Sequence, residues 1–404
     1  MRKLFNWPVV GLASVLVLQA SAALAYETDA VNHVVTLTPN TDMNKTTTDM
    51  RNALGFLVKR PDKTTQWTLK LNPGQYVLSG QVTTNGLQNT IITSADLTHP
   101  AQLLKKPGWD SATSAEYLLF NSMCQNVQLI GLEFYGQTSF AANADPYWPD
   151  QGVYFGSCNV VKVDSNKFFN FGNAALRVAT WERDPIAGVD SFKTMVSNNL
   201  FNNIYQTSTT VQDNIHGGTN ASTWLNNTFV NLRGSVKFAS RTGGAGNIEF
   251  FNNVINGGDH FGLEINNYSK FNLRGNRISN IKSVAMNIYT GGTVDFPWGD
   301  NFTIANNIID TVGRGIRYEH NPDYVPQNLV IDSNTLSNVN DVPNIPAIWV
   351  TNGNVNGVSI TKNKLSNITN KKYIGVSTGS TNVSILDNTL DGLPFGTQSS
   401  TGLK

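Results

Sequence analysis

Short runs of alternating apolar and polar residues fill this chain from about residue 67 onward, separated by gaps rich in Gly, Asn, Asp and Pro. Leu225 to Ser240 (LNNTFVNLRGSVKFAS) shows the unit: an Asn followed two residues later by a large apolar residue, then a short strand, Val236-Lys237-Phe238. The Asn half recurs at Asn166, Asn199, Asn227, Asn253, Asn276, Asn307, Asn334, Asn363 and Asn388, each time with Phe, Ile or Leu two positions on. The spacings are 33, 28, 26, 23, 31, 27, 29 and 25 residues. A helical solenoid holds its period more tightly and repeats apolar residues every three or four positions. Period-two runs with length variation confined to turns describe stacked coils of strand, in which each coil contacts its neighbours. Asn suits the stacking turn, since it tolerates the left-handed region and its amide can bond to the amide one coil away. The pattern predicts an all-β, single-stranded right-handed parallel β-helix of about ten coils over residues 67–392.

Two segments depart from the pattern. Residues 1–25 carry Arg2 and Lys3, an apolar run over residues 9–18 and then Ala23-Leu24-Ala25. This reads as a bacterial signal peptide cleaved after Ala25, which predicts a periplasmic or secreted mature chain with no membrane association after cleavage. Thr46 to Lys59 has Met50, Leu54 and Leu57 on one helical face and is expected to cap the open end of the array. Residues 26–404 show no break in composition and are expected to form a single domain and a monomer.

Charge excludes one class of partner. Removing Arg2 and Lys3 from the 29 basic residues leaves 27 against 28 acidic ones, with no basic run, so neither nucleic acid nor an anionic membrane is expected as partner. Cys124 and Cys158 are the two cysteines. Leu132 and Asn166 occupy equivalent places on successive coils and lie 34 residues apart, as the cysteines do. Stacked one above the other they are within disulfide reach, and an oxidising compartment favours the bond over two buried thiols.

In each second-half strand the two large apolar residues should point inward, which leaves the residue between them outside. Coil by coil this gives Tyr154, Arg177, Thr210, Lys237, Glu264, Asn287, Arg317 and Trp349, with a second outward column at Gln212, Asn266, Tyr289 and Glu319. Aromatic ends with a cationic, hydrogen-bonding middle suit an acidic polysaccharide, whose pyranose faces stack on rings and whose carboxylates accept from Arg. An ordinary solvated face is the alternative account of any single member. Flanking segments add Trp181, His216, Arg241, Asp259, His260, Asp295 and His320. Tyr154, Asn287, Tyr289, Trp349, Trp181, His260, Glu319 and His320 are accordingly expected to contact substrate.

The fitting reaction is β-elimination or C5 epimerisation at a uronate, both of which remove the proton α to a carboxylate. Lys237, among cations, is the expected base, and Arg177, Arg241 or Arg317 would neutralise the carboxylate; a Ca²⁺ is the other way to do so. Glu264, one coil along, either orients Lys237 or forms a plain cross-coil salt bridge with it. Glu264 and Glu319, about 9.6 Å apart along the axis at two coil spacings, are marginal for an inverting hydrolase, which needs roughly 6.5–9.5 Å. A non-catalytic factor that binds or guides an exopolysaccharide is the alternative outside enzymology.

Pro73-Gly74-Gln75-Tyr76 resembles the P-G-x-Y strand that opens the first coil in the pectin-lyase-like superfamily of right-handed parallel β-helix proteins. The resemblance covers most of the chain after residue 25 and implies the fold, with a polysaccharide groove along one sheet. Gly234 to Arg241 (GSVKFASR) is similar to the Lys-bearing strand of alginate and chondroitin lyases of this fold, which implies a base role for Lys237. Those lyases place an Arg on the following coil where this chain has Glu264, and the Asp-Pro-His-Asp signature of periplasmic mannuronan epimerases does not occur.

Overall fold

A computed structural model describes residues 26–108, 116–137, 150–180, 193–211, 220–240, 245–291, 299–340, 345–369 and 371–395. The expected leader, together with Trp181, Gln212, His216, Arg241 and Asp295, lies outside these residues.

The chain winds into stacked coils whose strands form one 14-stranded and one 22-stranded sheet. Among the described residues, neighbouring strands pair in parallel except at the two ends. There Glu27–Asp29 pairs antiparallel with Val34–Leu37, and Thr389–Leu390 with Leu393–Pro394. Each coil gives one strand to the smaller sheet and two to the larger, as in Asn159–Asp164, Lys167–Phe169 and Ala174–Thr180. Against about ten coils expected, the smaller sheet stacks, among the described residues, twelve parallel levels from Trp67–Leu71 to Thr381–Leu386, those before Asn166 without the Asn motif.

Two ladders explain why these residues stack. The apolar residue of the Asn motif points inward, so Phe134, Phe168, Phe201 and Phe229 form a pile with ring centroids 4.9, 4.8 and 4.8 Å apart. Ile255, Ile278, Ile309, Leu336 and Leu365 continue the same register. Beside it runs the amide ladder. Each Asn Nδ2, from Asn166 to Asn363, donates to Oδ1 of the next Asn at 2.9–3.2 Å. That same Oδ1 accepts from the backbone N–H of the Asn before it, as Asn253 does from Asn227 at 2.9 Å. All nine amides are 2% exposed or less, so every buried donor must be satisfied, and here each is.

One detail of the turn is corrected. The ladder Asn is not the left-handed residue. That conformation falls one position earlier, at Ser165, Asn198, Asn226, Asn252, Gly275, Asn306, Ser333, Lys362 and Asp387, all with φ between 55° and 64° except 51° at Asn252.

The helix spans Met43–Lys59, three residues longer at its start than expected, because the Asp42 side chain accepts from Asn44 N and Lys45 N at 2.9 and 3.3 Å. Met50, Ala53, Leu54 and Leu57 are buried against the end of the array, so the helix covers the core where no coil follows. Cys124 and Cys158 are disulfide-bonded, Cα to Cα 4.4 Å, on strands where Gln125 registers with Asn159. No helix among the described residues is long and apolar enough to cross a membrane.

Candidate functional site

The second strand of each coil in the larger sheet carries the outward column. Backbone register runs Phe120, Tyr154, Arg177, Ser208, Lys237, Glu264, Asn287, Arg317, Trp349 and Gly375 without a break. The flanking Val236, Phe238, Leu263 and Ile265 are fully buried, as the alternation requires. Ser208, not Thr210, occupies the level between Arg177 and Lys237. Thr210 registers with Ala179 and Ala239, two positions on. Gln206–Val211 (QTSTTV) offers no pair of large apolar residues to fix its phase, and its pairing with the preceding strand shifts between Ala174 and Arg177.

At the centre, Lys237 Nζ lies 2.9 Å from Glu264 Oε1 across adjacent coils. Glu264 also accepts from Ser235 Oγ at 2.9 Å on Oε2 and from Asn266 Nδ2 at 2.9 Å on Oε1. Lys237 keeps a third of its side chain exposed, at 32%, and Glu264 about half as much, at 15%. Burial alone would push the Glu264 carboxyl up. The bonds from Lys237, Asn266 and Ser235 outweigh it and hold the group below its ordinary value of 4.5, as an anion.

Asn287, the next residue, is 8% exposed, and its Oδ1 has no protein partner. Arg317 follows. It pairs with Glu319 in the second column and lies over the Trp349 ring, its guanidinium carbon 5.7 Å from the centroid. Asn266, Tyr289, Glu319 and Thr351 share one register in that second column, and Tyr289 is 40% exposed. Glu319 accepts in addition from Asn352.

The other end of the column is closed. Tyr154 points outward as expected, but it is 2% exposed, stacked on Phe120 at 4.5 Å and beside Tyr117 at 5.0 Å. Arg177 Nη1 reaches the Tyr117 hydroxyl at 3.5 Å. Strand alternation gives the direction of a side chain and says nothing of what covers it, so a substrate contact at Tyr154 is replaced by an outer aromatic cluster. His320 is likewise withdrawn. It is 1% exposed, with Nδ1 2.8 Å from Thr290 Oγ1 and Nε2 against the Tyr324 carbonyl, and burial lowers its pKa to about 4. His260 is exposed and lies against Phe261, ring to ring at 3.8 Å. Asp259, at the same bend, accepts from Lys282 at 2.7 Å and from Arg233.

Sequence reasoning missed Lys105 and Asp150, an ion pair at 3.0 Å with both side chains 2% exposed or less. Asp150 opens the strand Asp150–Gly156, and its Oδ2 accepts from the backbone of Gln137 at 2.9 Å and Gly172 at 3.2 Å. The signal is an acidic residue entering an apolar strand (DQGVYF).

The architecture matches a solved structure from end to end. A surface adhesin of Streptococcus pneumoniae, PfbA, superposes with a TM-score of 0.61 at 12% identity, over 86% of this chain and 88% of that one. The fold is a right-handed parallel β-helix. A hyperthermoactive exopolygalacturonase from Thermotoga maritima aligns over 87% of this chain and 89% of its own, at 10% identity and a TM-score of 0.46. No family model and no curated protein matches the sequence.

Proposed function

We propose that this protein is an exported polysaccharide-active β-helix that engages a uronate-containing chain along the outward column and removes the C5 proton. The observation that carries the reading is the Lys237–Glu264 pair, part-exposed on the outer face, with Arg177 and Arg317 in the same register on either side. Its neighbours in fold include enzymes named for polygalacturonan and alginate, which is in keeping with a carbohydrate partner.

The chemistry follows from desolvation. In the free protein the pair is ionic and Lys237 is no base. A polymer laid over it expels water and raises the cost of charge on both groups, and moving the Lys237 proton onto Glu264 relieves that cost. The free amine then takes the C5 proton while Arg177, two coil steps away in the same column, neutralises the sugar carboxylate. If the electron pair runs to C4, the C4–O4 bond breaks, O4 takes the proton held by Glu264, directly or through a water, and an unsaturated uronate remains with the ion pair restored. If a proton returns to C5 from the opposite face, the product is the epimer.

Ultraviolet absorbance of unsaturated uronate, measured against alginate, pectate, glucuronan and glycosaminoglycans with and without Ca²⁺, tests the elimination. A rise that disappears in Lys237→Ala supports it. If absorbance stays flat and no tritium or deuterium exchanges at C5 on any polymer, the catalytic reading fails. The second reading, a binder that guides or holds the polymer, is favoured by one observation: Lys237 and Arg317 each already have a carboxylate partner, a rigid polar strip that asks for no proton movement.

A further inference from the structure

The column ends at an open pocket. Trp349 has Arg317 one coil before it and Gly375 one coil after it, in register on both sides. Arg317 covers the ring from its own side. On the other side the position is a glycine, and a Cβ built there would meet Pro346 Cγ at 2.6 Å and Trp349 Cδ1 at 3.3 Å. Pro346 and the indole therefore close onto the bare Gly375 backbone, and beside them lies a cavity of about 420 Å³, walled by Trp349, Tyr373 and Phe395, with Lys371 at its border. Tyr373 and Phe395 meet edge to face at 5.3 Å, which sets the far wall. Among the described residues Gly375 carries the last level of the column.

From this we infer that the pocket is an end subsite, which receives the terminal residue of an acidic sugar chain lying along the column. The inference rests on the polysaccharide reading above and gives it a direction. A concave site with an open aromatic floor suits the apolar face of one pyranose, and its volume falls within the range of small-ligand pockets. Lys371, exposed at the border, supplies a cation for the carboxylate. Four coil steps separate Trp349 from Lys237, about 19 Å at strand spacing. A chain seated by its end is therefore presented to Lys237 at a fixed distance, and short oligosaccharides of one length are its product.

Calorimetric titration with galacturonate and mannuronate dimers and hexamers tests this on the full-length protein, with Gly375→Ala to push on the Pro346 and Trp349 side of the pocket, Tyr373→Ala to open its wall, and Lys237→Ala as the column variant. Thermal melts serve as a fold check. The expected result is hexamer affinity lowered at least tenfold, and dimer binding lost, in both pocket variants, while Lys237→Ala binds the dimer within twofold of wild type. Hexamer binding unchanged in both pocket variants but weakened in Lys237→Ala overturns the end subsite and leaves the column reading intact. Pocket variants that weaken binding while Lys237→Ala changes neither binding nor turnover keep the subsite and sink the column. Wild-type protein that binds none of the oligomers overturns the subsite, and if it also ignores the intact polymers, both readings fall.

Discussion

The same coils carry two columns of opposite character. Around the turn, the chain repeats one answer: Asn at nine successive levels from Asn166 to Asn388, each 2% exposed or less and bonded to its neighbours. From Tyr154 to Trp349 the outer face does not repeat itself at adjacent levels: aromatic, Arg, Ser, Lys, Glu, Asn, Arg, aromatic. A position that solves only a stacking problem faces the same problem in every coil, so one residue serves throughout. A position that meets a ligand faces a different part of it in each coil. Uniformity marks scaffold, and variety in a fixed register marks the surface that does something.

Mutation of the uniform column should cost the most. Asn253 Nδ2 donates to Asn276 Oδ1 and to the Trp224 carbonyl, and its Oδ1 accepts from Asn227. Asn253→Ala strands these partners in the core at about 1–3 kcal/mol each, so denaturant melts should show a loss of roughly 4 kcal/mol or more. A loss under about 1 kcal/mol would mean that the ladder decorates the stack without holding it. The disulfide is the scaffold's other fixture. Its 34-residue separation predicts that the paired Cys124→Ala, Cys158→Ala variant loses roughly 4 kcal/mol by chain entropy. In both cases any activity should fall only as the folded fraction falls.

Variation in the mixed column should do the reverse. Lys237→Ala removes one hydrogen bond from a carboxylate that keeps Ser235 and Asn266, so a stability loss of about 1–2 kcal/mol is expected. Turnover, if the base assignment holds, should drop at least about a hundredfold. A variant that melts like the Asn253→Ala protein would place Lys237 with the scaffold and erase the distinction.

Titration separates two further members by window. Glu264 has its folded pKa below the ordinary 4.5, so the stability it contributes is present above that value and is lost as pH falls through the lower folded value. His320 is buried neutral with a folded pKa of about 4 against an ordinary 6.5. Its protonation favours the unfolded chain, and stability present above pH 6.5 declines as pH falls from there toward about 4. Melts across this range should therefore show His320→Gln flattening the upper window and Glu264→Gln flattening only the lower one. If His320→Gln leaves the slope above pH 4.5 unchanged, the ring is solvated and returns as a candidate substrate contact.

Most of the scaffold was legible before any coordinates, because a repeated motif samples the same environment many times. The spacing of Asn and Phe gave ladder partners correctly from Asn166 to Asn388, and the equal offset of Cys124 and Cys158 gave the disulfide. The site was legible in direction only. Alternation put Lys237, Glu264 and Arg317 outward and in line, yet it could not report that Tyr154 is roofed by its own cluster or that His320 is turned into the core. It lost its phase where the strand has no large apolar pair, at Ser208. An end pocket assembled from Trp349, Tyr373 and Phe395, on separate strands and turns, leaves no periodic mark in a sequence.

The smallest effect expected tests how far uniformity reaches. The left-handed residue preceding each ladder Asn is Asn or Gly at five of nine levels and Asp or Ser at three more, residue types that accept this conformation readily. Lys362 is the exception, held at φ 55° with no local side-chain hydrogen bond of the kind Asn or Asp can make. Relieving that mismatch by Lys362→Asn should stabilise the protein by about 0.5–1 kcal/mol, since left-handed backbone costs an ordinary L-residue roughly 1–2 kcal/mol and Asn less. The neighbouring Asn363 amide bonds should be unaffected, as their partners are Asn334, Asn388 and the Ile331 carbonyl. A melting temperature that stays level or falls would show that the Lys362 stem has packing of its own, and that the turn column, like the outer one, answers to more than its backbone.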